Sequence, residues 1–399
     1  MNLVRWAAPS LLLTLGVVGC DRAQTESATT ATATATSTAV AVVDVDDPQA
    51  CTPCHAAVVA EWKESQHSRA HESRDPIFAG MRKLRMKHEG ADVANKCALC
   101  HYPRDAQRQR PEVAQRGMAC SSCHLASALH PEKGPGAKAL TWSTQNVMAG
   151  PHDLAADASP AHGTGPAPDF MKDGSSLCLA CHDATKNPQG VAACTTGFEW
   201  KEGQGDSCVS CHMPTVEGPS GAVASRPKQH RSHAFHGPHR AWYQKDADFL
   251  KSAVKMTSAL DDDAVVVRLE NVSQHGFPSG FPGRMVVVVA KALDEKGSVV
   301  WESAPNGPMA DTPGAVLFKK YVDDEGNVVP APLATKLEAD TRLKTGETRE
   351  IRLAGVPLGA TSVQVQLLYL LLPPPLAKKI GVEGPEGKPK VIETLNLAP

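Results

Sequence analysis

Ten of the twelve cysteines fall in five copies of Cys-x-x-Cys-His. The copies are Cys51-Cys54-His55, Cys97-Cys100-His101, Cys120-Cys123-His124, Cys178-Cys181-His182 and Cys208-Cys211-His212. Spacings of three and four residues put all three side chains on one face of a single helical turn. This is the attachment signature of c-type haem, with two thioethers to the porphyrin and the histidine as one axial ligand of the iron. Five covalent haem c groups are therefore expected, and the implied chemistry is electron transfer. Structural zinc would need four ligands drawn from paired half-sites. Five half-sites do not pair off, and every one ends in histidine. A disulfide across a two-residue loop belongs to redox motifs rather than to structural staples.

Each iron that only carries electrons needs a sixth ligand. Eleven histidines lie outside the motifs: His67, His71, His88, His130, His152, His162, His230, His233, His236, His239 and His275. The supply exceeds five, so five bis-histidine haems are possible. Methionine is the other choice and raises the potential. Met213 directly follows a motif histidine and cannot easily turn back to the same iron.

The segment Trp62-Lys63-Glu64-Ser65-Gln66-His67-Ser68-Arg69-Ala70 resembles the Trp-x-x-Ser-x-His-x-x-Ala block of multihaem cytochromes c related to the tetrahaem cytochrome c-554 of ammonia oxidisers and, more distantly, to hydroxylamine oxidoreductase. Further blocks carry the same resemblance: Gly117 to His124 followed by His130, Ser159-Pro160-Ala161-His162, Glu199-Trp200 and Cys208 to Pro214. So do His233-Ala234-Phe235-His236-Gly237-Pro238-His239 and Asn271 to Gly280. The likeness runs from Cys51 to about Arg284. It implies His67, His130, His162, His233 and His239 as distal ligands. Leu125-Ala126-Ser127 departs from the family's Gly-Pro-Gly after the third motif. His71 lies one helical turn from His67 and is an alternative to it. His275 would let a later domain touch the haem array. His88, His152, His230 and His236 read as surface or supporting residues.

The elements that must hold these groups divide the chain. Residues 1–19 read as a lipoprotein signal peptide, too short to span a bilayer, and Cys20 as the lipidated residue at its end. Residues 20–47, rich in Ala and Thr, read as a flexible tether. Residues 48–245 form the expected pentahaem domain, mostly α and irregular, with the porphyrins supplying much of the apolar core. The short linker between the second and third motifs predicts that these two haems are neighbours, with the fourth and fifth as a second close pair. From about Ser252 the hydrophobic period becomes two. Val265–Leu269, Met285–Val289, Ser298–Trp301, Arg349–Leu353 and Ser362–Leu367 read as strands. Turn signals at Asp294–Gly297 and Asp323–Asn327 separate them. Residues 250–399 are thus expected to be an all-β, immunoglobulin-like sandwich. The fold class is multidomain, with a multihaem cytochrome c domain followed by that sandwich.

Cys194 is left without a motif and reads as an inert buried thiol. Residues 82–116 hold nine Lys and Arg against four Asp and Glu, a solvated basic face by default. The formal net charge of −2 gives no reason to expect nucleic acid. No phosphate-binding glycine loop and no Ser/His/Asp order stands out. The expected protein is exported and lipid-anchored in the periplasm or at the cell surface. It relays electrons between a donor and an acceptor protein and is not an enzyme. The alternative is an oxidoreductase in which one haem keeps an open position for a small nitrogen or sulfur compound.

Overall fold

The computed structural model describes residues 43–183, 185–222 and 228–398. The signal segment, Cys20 and most of the tether lie outside them. The first half is built from short helices joined by long irregular segments. Helix α1 (Thr52–Glu64) opens with proline in its first turn, where the missing N–H costs nothing. His55 breaks the helical dihedrals inside it, at φ −123° and ψ 40°, so the first motif histidine turns off the helix axis. Helix α2 (Pro76–Glu89) is capped by Asp75, whose side chain accepts from Phe78 N, and it stops at Gly90 with φ +85°. The other four motifs each fall on one short helical piece, Ala98–His101 with Cys97 as its N-cap, Cys120–His124, Ser176–His182 and Cys208–His212. Helix α3 (Thr196–Gly203) ends at Gln204 in the left-handed region.

The second half is β. Strands β1 (Val254–Asp261), β2 (Ala264–Asn271) and β8 (Thr348–Ala354) form one antiparallel sheet in the order β8-β2-β1. A second sheet runs β10-β9-β3-β4, with β5 also pairing to β3. Its strands are β3 (Met285–Leu293), β4 (Val299–Glu302), β5 (Val316–Leu317), β9 (Ser362–Leu370) and β10 (Lys390–Leu397). Strands β6 (Lys319–Val322) and β7 (Lys336–Asp340) make a separate antiparallel pair. All five runs expected as strands fall in β2, β3, β4, β8 and β9. The Asp294 turn is closed by its own carboxylate, which accepts from Lys296 N and Ser298 N.

The two larger sheets share one core. Val265, Val267 and Leu269 of β2 and Leu353 of β8 pack with Val286, Val288 and Ala292 of β3 and Val363, Val365, Leu367 and Tyr369 of β9, all essentially inaccessible. Strand β3 is apolar on its other face as well. Met285 and Val287 join Val316 and Leu370 in a second buried cluster, with Phe318 against it. That is why Met285–Val289 reads as an unbroken apolar run: a strand covered on both sides has no reason to alternate.

The described residues form one compact unit. Polar contacts join its halves. Glu199 of α3 bonds Arg342 at 2.7 Å and accepts from Gly276 N at 2.9 Å, and Arg342 also pairs with Asp340. Asn187 Nδ2 donates to the carbonyls of Ala331 and Ala334, and the Tyr321 hydroxyl to that of Ala192. Among the described residues no helix is long and apolar enough to cross a membrane.

Burial alone would raise the Glu199 carboxyl, but the Arg342 guanidinium, Thr195 and the Gly276 amide more than offset this and hold it at about 2. Because the folded value is depressed, its stabilisation is present above the unfolded value near 4.3 and lost as pH falls towards 2. Arg342→Ala strands a buried carboxylate and is expected to destabilise the haem-loaded protein by about 3 kcal/mol at pH 7. In denaturant melts Glu199→Gln should flatten the loss of stability between about pH 4.5 and 2. An unchanged acid profile would remove the pair from this role.

Candidate functional site: a histidine-lined cavity

One connected cavity of about 2200 Å³ runs through the molecule, and all ten motif cysteines and all five motif histidines line it. Its walls come from both halves of the chain, including Phe78, Phe170, Phe235 and Phe249 on one side and Met285, Val287, Phe318 and Leu370 on the other. The apolar second face of β3 and β9 is thus a cavity wall.

Four motif histidines face a second imidazole across this space. His55 and His162 have ring centres 6.5 Å apart and planes 28° apart. His124 and His233 stand at 6.1 Å and 24°, His212 and His275 at 6.4 Å and 18°, and His182 and His67 at 6.3 Å and 41°. Two metal–nitrogen bonds of about 2 Å, plus roughly 1 Å from each nitrogen to its ring centre, give a span of roughly 6 Å. The pairs therefore have the spacing that two imidazoles sharing one iron require.

The backbone fixes which nitrogen faces the gap. Nδ1 of His55 donates to Ser220 O (2.6 Å), of His124 to Ala149 O (2.7 Å) and of His212 to His236 O (2.6 Å). Among their partners, His162 Nδ1 donates to Gly163 O (2.9 Å), His233 to Arg231 O (2.8 Å) and His275 to Gly276 O (3.2 Å). A proton held on Nδ1 leaves the Nε2 lone pair free for a metal. Burial lowers the pKa of His67 to about 3 and of His233 to about 4, and it lowers those of His124, His182, His212 and His275. Neutral imidazole, the ligand form, is thus the resting state of these rings. This donor set and cavity fit haem.

His101 stands apart. Its Nδ1 donates to Ala70 O at 2.8 Å as in the other motifs, but among the described residues no histidine ring faces it at the pair spacing. The Phe78 ring instead packs on the imidazole, 3.7 Å away and 18° from parallel.

The structure places the remaining expected ligands elsewhere. His130 starts the 3₁₀ turn Pro131–Lys133, has Nδ1 3.6 Å from Glu132 and is outside the cavity wall. It follows the short strand Ala126–Leu129, and its main-chain N–H donates to Ala139 O at 2.7 Å. His71 is also outside the wall, held by Ser73 Oγ at 2.9 Å and Glu72 at 3.4 Å. His239 lines the cavity, but its Nε2 is taken by Arg284 at 2.9 Å. The position facing His212 is filled by His275, on the loop after β2. His230, read as a supporting residue, is buried with Nδ1 on Gly218 O and Nε2 between the Glu61 oxygens at 3.2 Å.

The order of the motifs in space differs from their order in sequence. The Cys51 thiol lies beside that of Cys120, Cys100 beside Cys181, and Cys178 beside Cys208. In the haem-bearing protein these atoms are thioether sulfurs, so their placement matters and their acidity does not. The first motif adjoins the third, the second adjoins the fourth, the fourth adjoins the fifth, and Cys123 of the third is within electrostatic reach of Cys178 and Cys181 of the fourth. The expected pairing of the second with the third is not among these contacts. The third is instead tied to α1 and the residues after it: Trp62 Nε1 donates to Met118 O at 2.7 Å, and Met118 N to His67 O at 3.0 Å. Gly117 makes this approach possible, because at φ +66° a Cβ would meet His67 O at 2.7 Å. These anchors also give Trp62 of the Trp-x-x-Ser-x-His block its role. The Phe78 contact and the groups around His239 had no spacing signal to reveal them.

A cavity lined by thiol pairs and facing imidazoles is what a multihaem cytochrome c needs. The comparisons agree. A family model described as "Cytochrome c554 and c-prime" matches residues 50–125, which contain the first three motifs. A solved penta-heme cytochrome c552 from Thermochromatium tepidum is 26% identical, with a TM-score of 0.72 over 87% of this chain and 97% of that one. No curated protein matches the sequence. Together they support a multihaem cytochrome c with covalent haem c.

Replacing His67, His162, His233 or His275 by alanine should each convert one low-spin ferric haem to high spin in the electron paramagnetic resonance spectrum, above the level of the parent protein. His71→Ala and His130→Ala should leave the spectrum unchanged. The reverse outcome for any residue would reassign it.

Proposed function

We propose that this protein is an exported, lipid-anchored cytochrome that carries five haem c groups and passes electrons between redox partner proteins. The single observation that carries the reading is the set of four imidazole pairs at 6.1–6.5 Å in one shared cavity. When bound, the haems supply the one-electron chemistry. The chain fixes both axial nitrogens, excludes water with the β-sheet wall and keeps neighbouring motifs in contact. Paired histidine ligation favours low potentials, tuned by burial and by the carbonyls that accept from Nδ1. Electrons would pass from the first motif through the third and fourth to the fifth, with the second as a branch from the fourth. Cys54 and Cys211 are the two motif cysteines classed as exposed, and they mark the two ends of that path as docking points.

Cys20 as the acylated residue and residues 20–47 as the tether would hold this body near the outer surface of a membrane in the periplasm or at the cell surface. Nucleic acid is not a partner in this reading. The strand orders β8-β2-β1 and β10-β9-β3-β4 support an immunoglobulin-like sandwich.

A second reading has one specific observation behind it, the absence of a facing histidine at His101. It makes the haem on Cys97 and Cys100 open-coordinated, able to take a small nitrogen or sulfur compound, as in the more distant hydroxylamine oxidoreductase relatives. Relay and open site are compatible, since the second motif adjoins the fourth.

Stopped-flow mixing of the fully reduced protein with a substoichiometric one-electron acceptor tests the relay. Oxidising equivalents should redistribute among all the haems faster than a second encounter with the acceptor. A haem fraction that stays out of this exchange would contradict a continuous path.

A further inference from the structure

One half-buried carboxylate outside the ring pairs ties together elements that hold them. Glu61 lies on the last turn of α1. Its Oε2 accepts from the main-chain N–H of His233 at 2.8 Å, and both its oxygens stand 3.2 Å from His230 Nε2. His230 is buried, and its Nδ1 donates to Gly218 O at 2.7 Å. With Nδ1 already committed to a carbonyl, Nε2 and the carboxylate must hold a second proton between them to bond. Glu61 thus gathers a ring and a main-chain amide from one short segment, and hydrogen bonds to a carboxylate are among the strong ones.

That segment needs such a tie. The Nδ1 proton of His233 is parked on Arg231 O, two residues back in the same segment. This bond orients the ring within its own segment and does not place it against His124. Strand Gln229–Arg231 pairs with Thr215–Glu217, and Ser232 N donates to Pro214 O at 2.9 Å, so the segment is joined to the residues after the fifth motif. Glu61 joins it to α1. The next residue of α1 holds the other ligand's segment: Trp62 Nε1 donates to Met118 O, two residues ahead of Cys120. The same helix carries Cys54 and His55, and the Cys51 thiol just before it lies beside that of Cys120. Two adjacent side chains of one helix therefore reach the segment that carries His233 and the segment that leads to His124.

We propose that Glu61, braced by His230, is a positioning residue for electron transfer. It sets the His233 ring against His124 and fixes the third-motif haem relative to that of the first motif. This rests on the reading that His124 and His233 share one iron. Without the carboxylate, His233 N loses its acceptor and the buried His230 Nε2 its partner. The segment is then free to draw back, and the bond from His233 to the iron opens more often.

Carbon monoxide tests this, because it binds a ferrous haem with two histidine ligands only after one of them leaves. The fully reduced, haem-loaded protein is mixed with carbon monoxide in a stopped-flow instrument. His233→Ala identifies the phase of the third haem by making it fast. Glu61→Ala should speed that phase at least about tenfold, and leave the phases that His67→Ala, His162→Ala and His275→Ala identify within about twofold. Glu61→Gln should stay within about threefold of the parent, since its amide oxygen can accept from His233 N while its N–H donates to His230 Nε2. If Glu61→Ala fails to take up its haems, His230→Ala carries the test, with a gain of at least about threefold in that phase alone. If His233→Ala creates no fast phase, its pairing with His124 falls, and the brace with it. If it does, but Glu61→Ala leaves that phase unchanged, the brace alone falls. An acceleration shared by all the haems, or one equally large in Glu61→Gln, would also overturn it.

Discussion

The constraint on which everything else depends is the hydrogen bond from an imidazole Nδ1 to a fixed main-chain carbonyl. An iron bound by two histidines needs both Nε2 lone pairs aimed at one point, and a free imidazole has two tautomers and a rotating χ2. The chain resolves this six times over by parking the Nδ1 proton on a carbonyl: Ser220, Ala149 and His236 for three motif rings, Gly163, Arg231 and Gly276 for the rings that face them. Most of these acceptors lie outside helices and strands, and Arg231 ends the short strand Gln229–Arg231. The long loops of the first half are therefore the elements that set the ring positions, with the short motif helices as their counterparts.

The second dependency is burial. Burial pushes down the pKa values of His67, His124, His182, His212, His233 and His275 and keeps them neutral, while the porphyrin faces need apolar walls. Strands β3 and β9 meet both needs by being apolar on two faces, one turned to the shared core of the sheets and the other to the cavity. The β half is thus more than a cap. It supplies a wall, the ring of His275 and the Arg284 that occupies His239. The buried Glu199–Arg342 pair fixes the halves to each other, in a place where a shift of an ångström would spoil a ring spacing.

Much of this was legible from the residues. The Cys-x-x-Cys-His spacing announces itself, and the two-residue period marks the strands, because both signals are local. Family resemblance singled out His67, His162 and His233, which the fold brings opposite motif histidines, and also His130 and His239, which it does not. His130 comes between the short strand Ala126–Leu129 and the turn Pro131–Lys133, outside the cavity wall. The resemblance implied His239 as a ligand, but Arg284, which holds its Nε2, lies 45 positions away in sequence, and no spacing rule reaches that far. His275 was legible as the histidine through which the β half could reach the haem array, but not as the partner of His212. The thiol contacts between motifs do not follow linker length. A short linker limits distance but not direction, and Gly117 and Met118 turn the third motif back onto α1.

Anomalous diffraction at the iron absorption edge from crystals of the haem-loaded protein tests the central claim most directly. The account predicts five iron positions. Four should lie midway between the Nε2 atoms of His55 and His162, His67 and His182, His124 and His233, and His212 and His275. The fifth should bond His101 alone among protein nitrogens. An iron bound by His130 or His71, or a second protein ligand opposite His101, would contradict it.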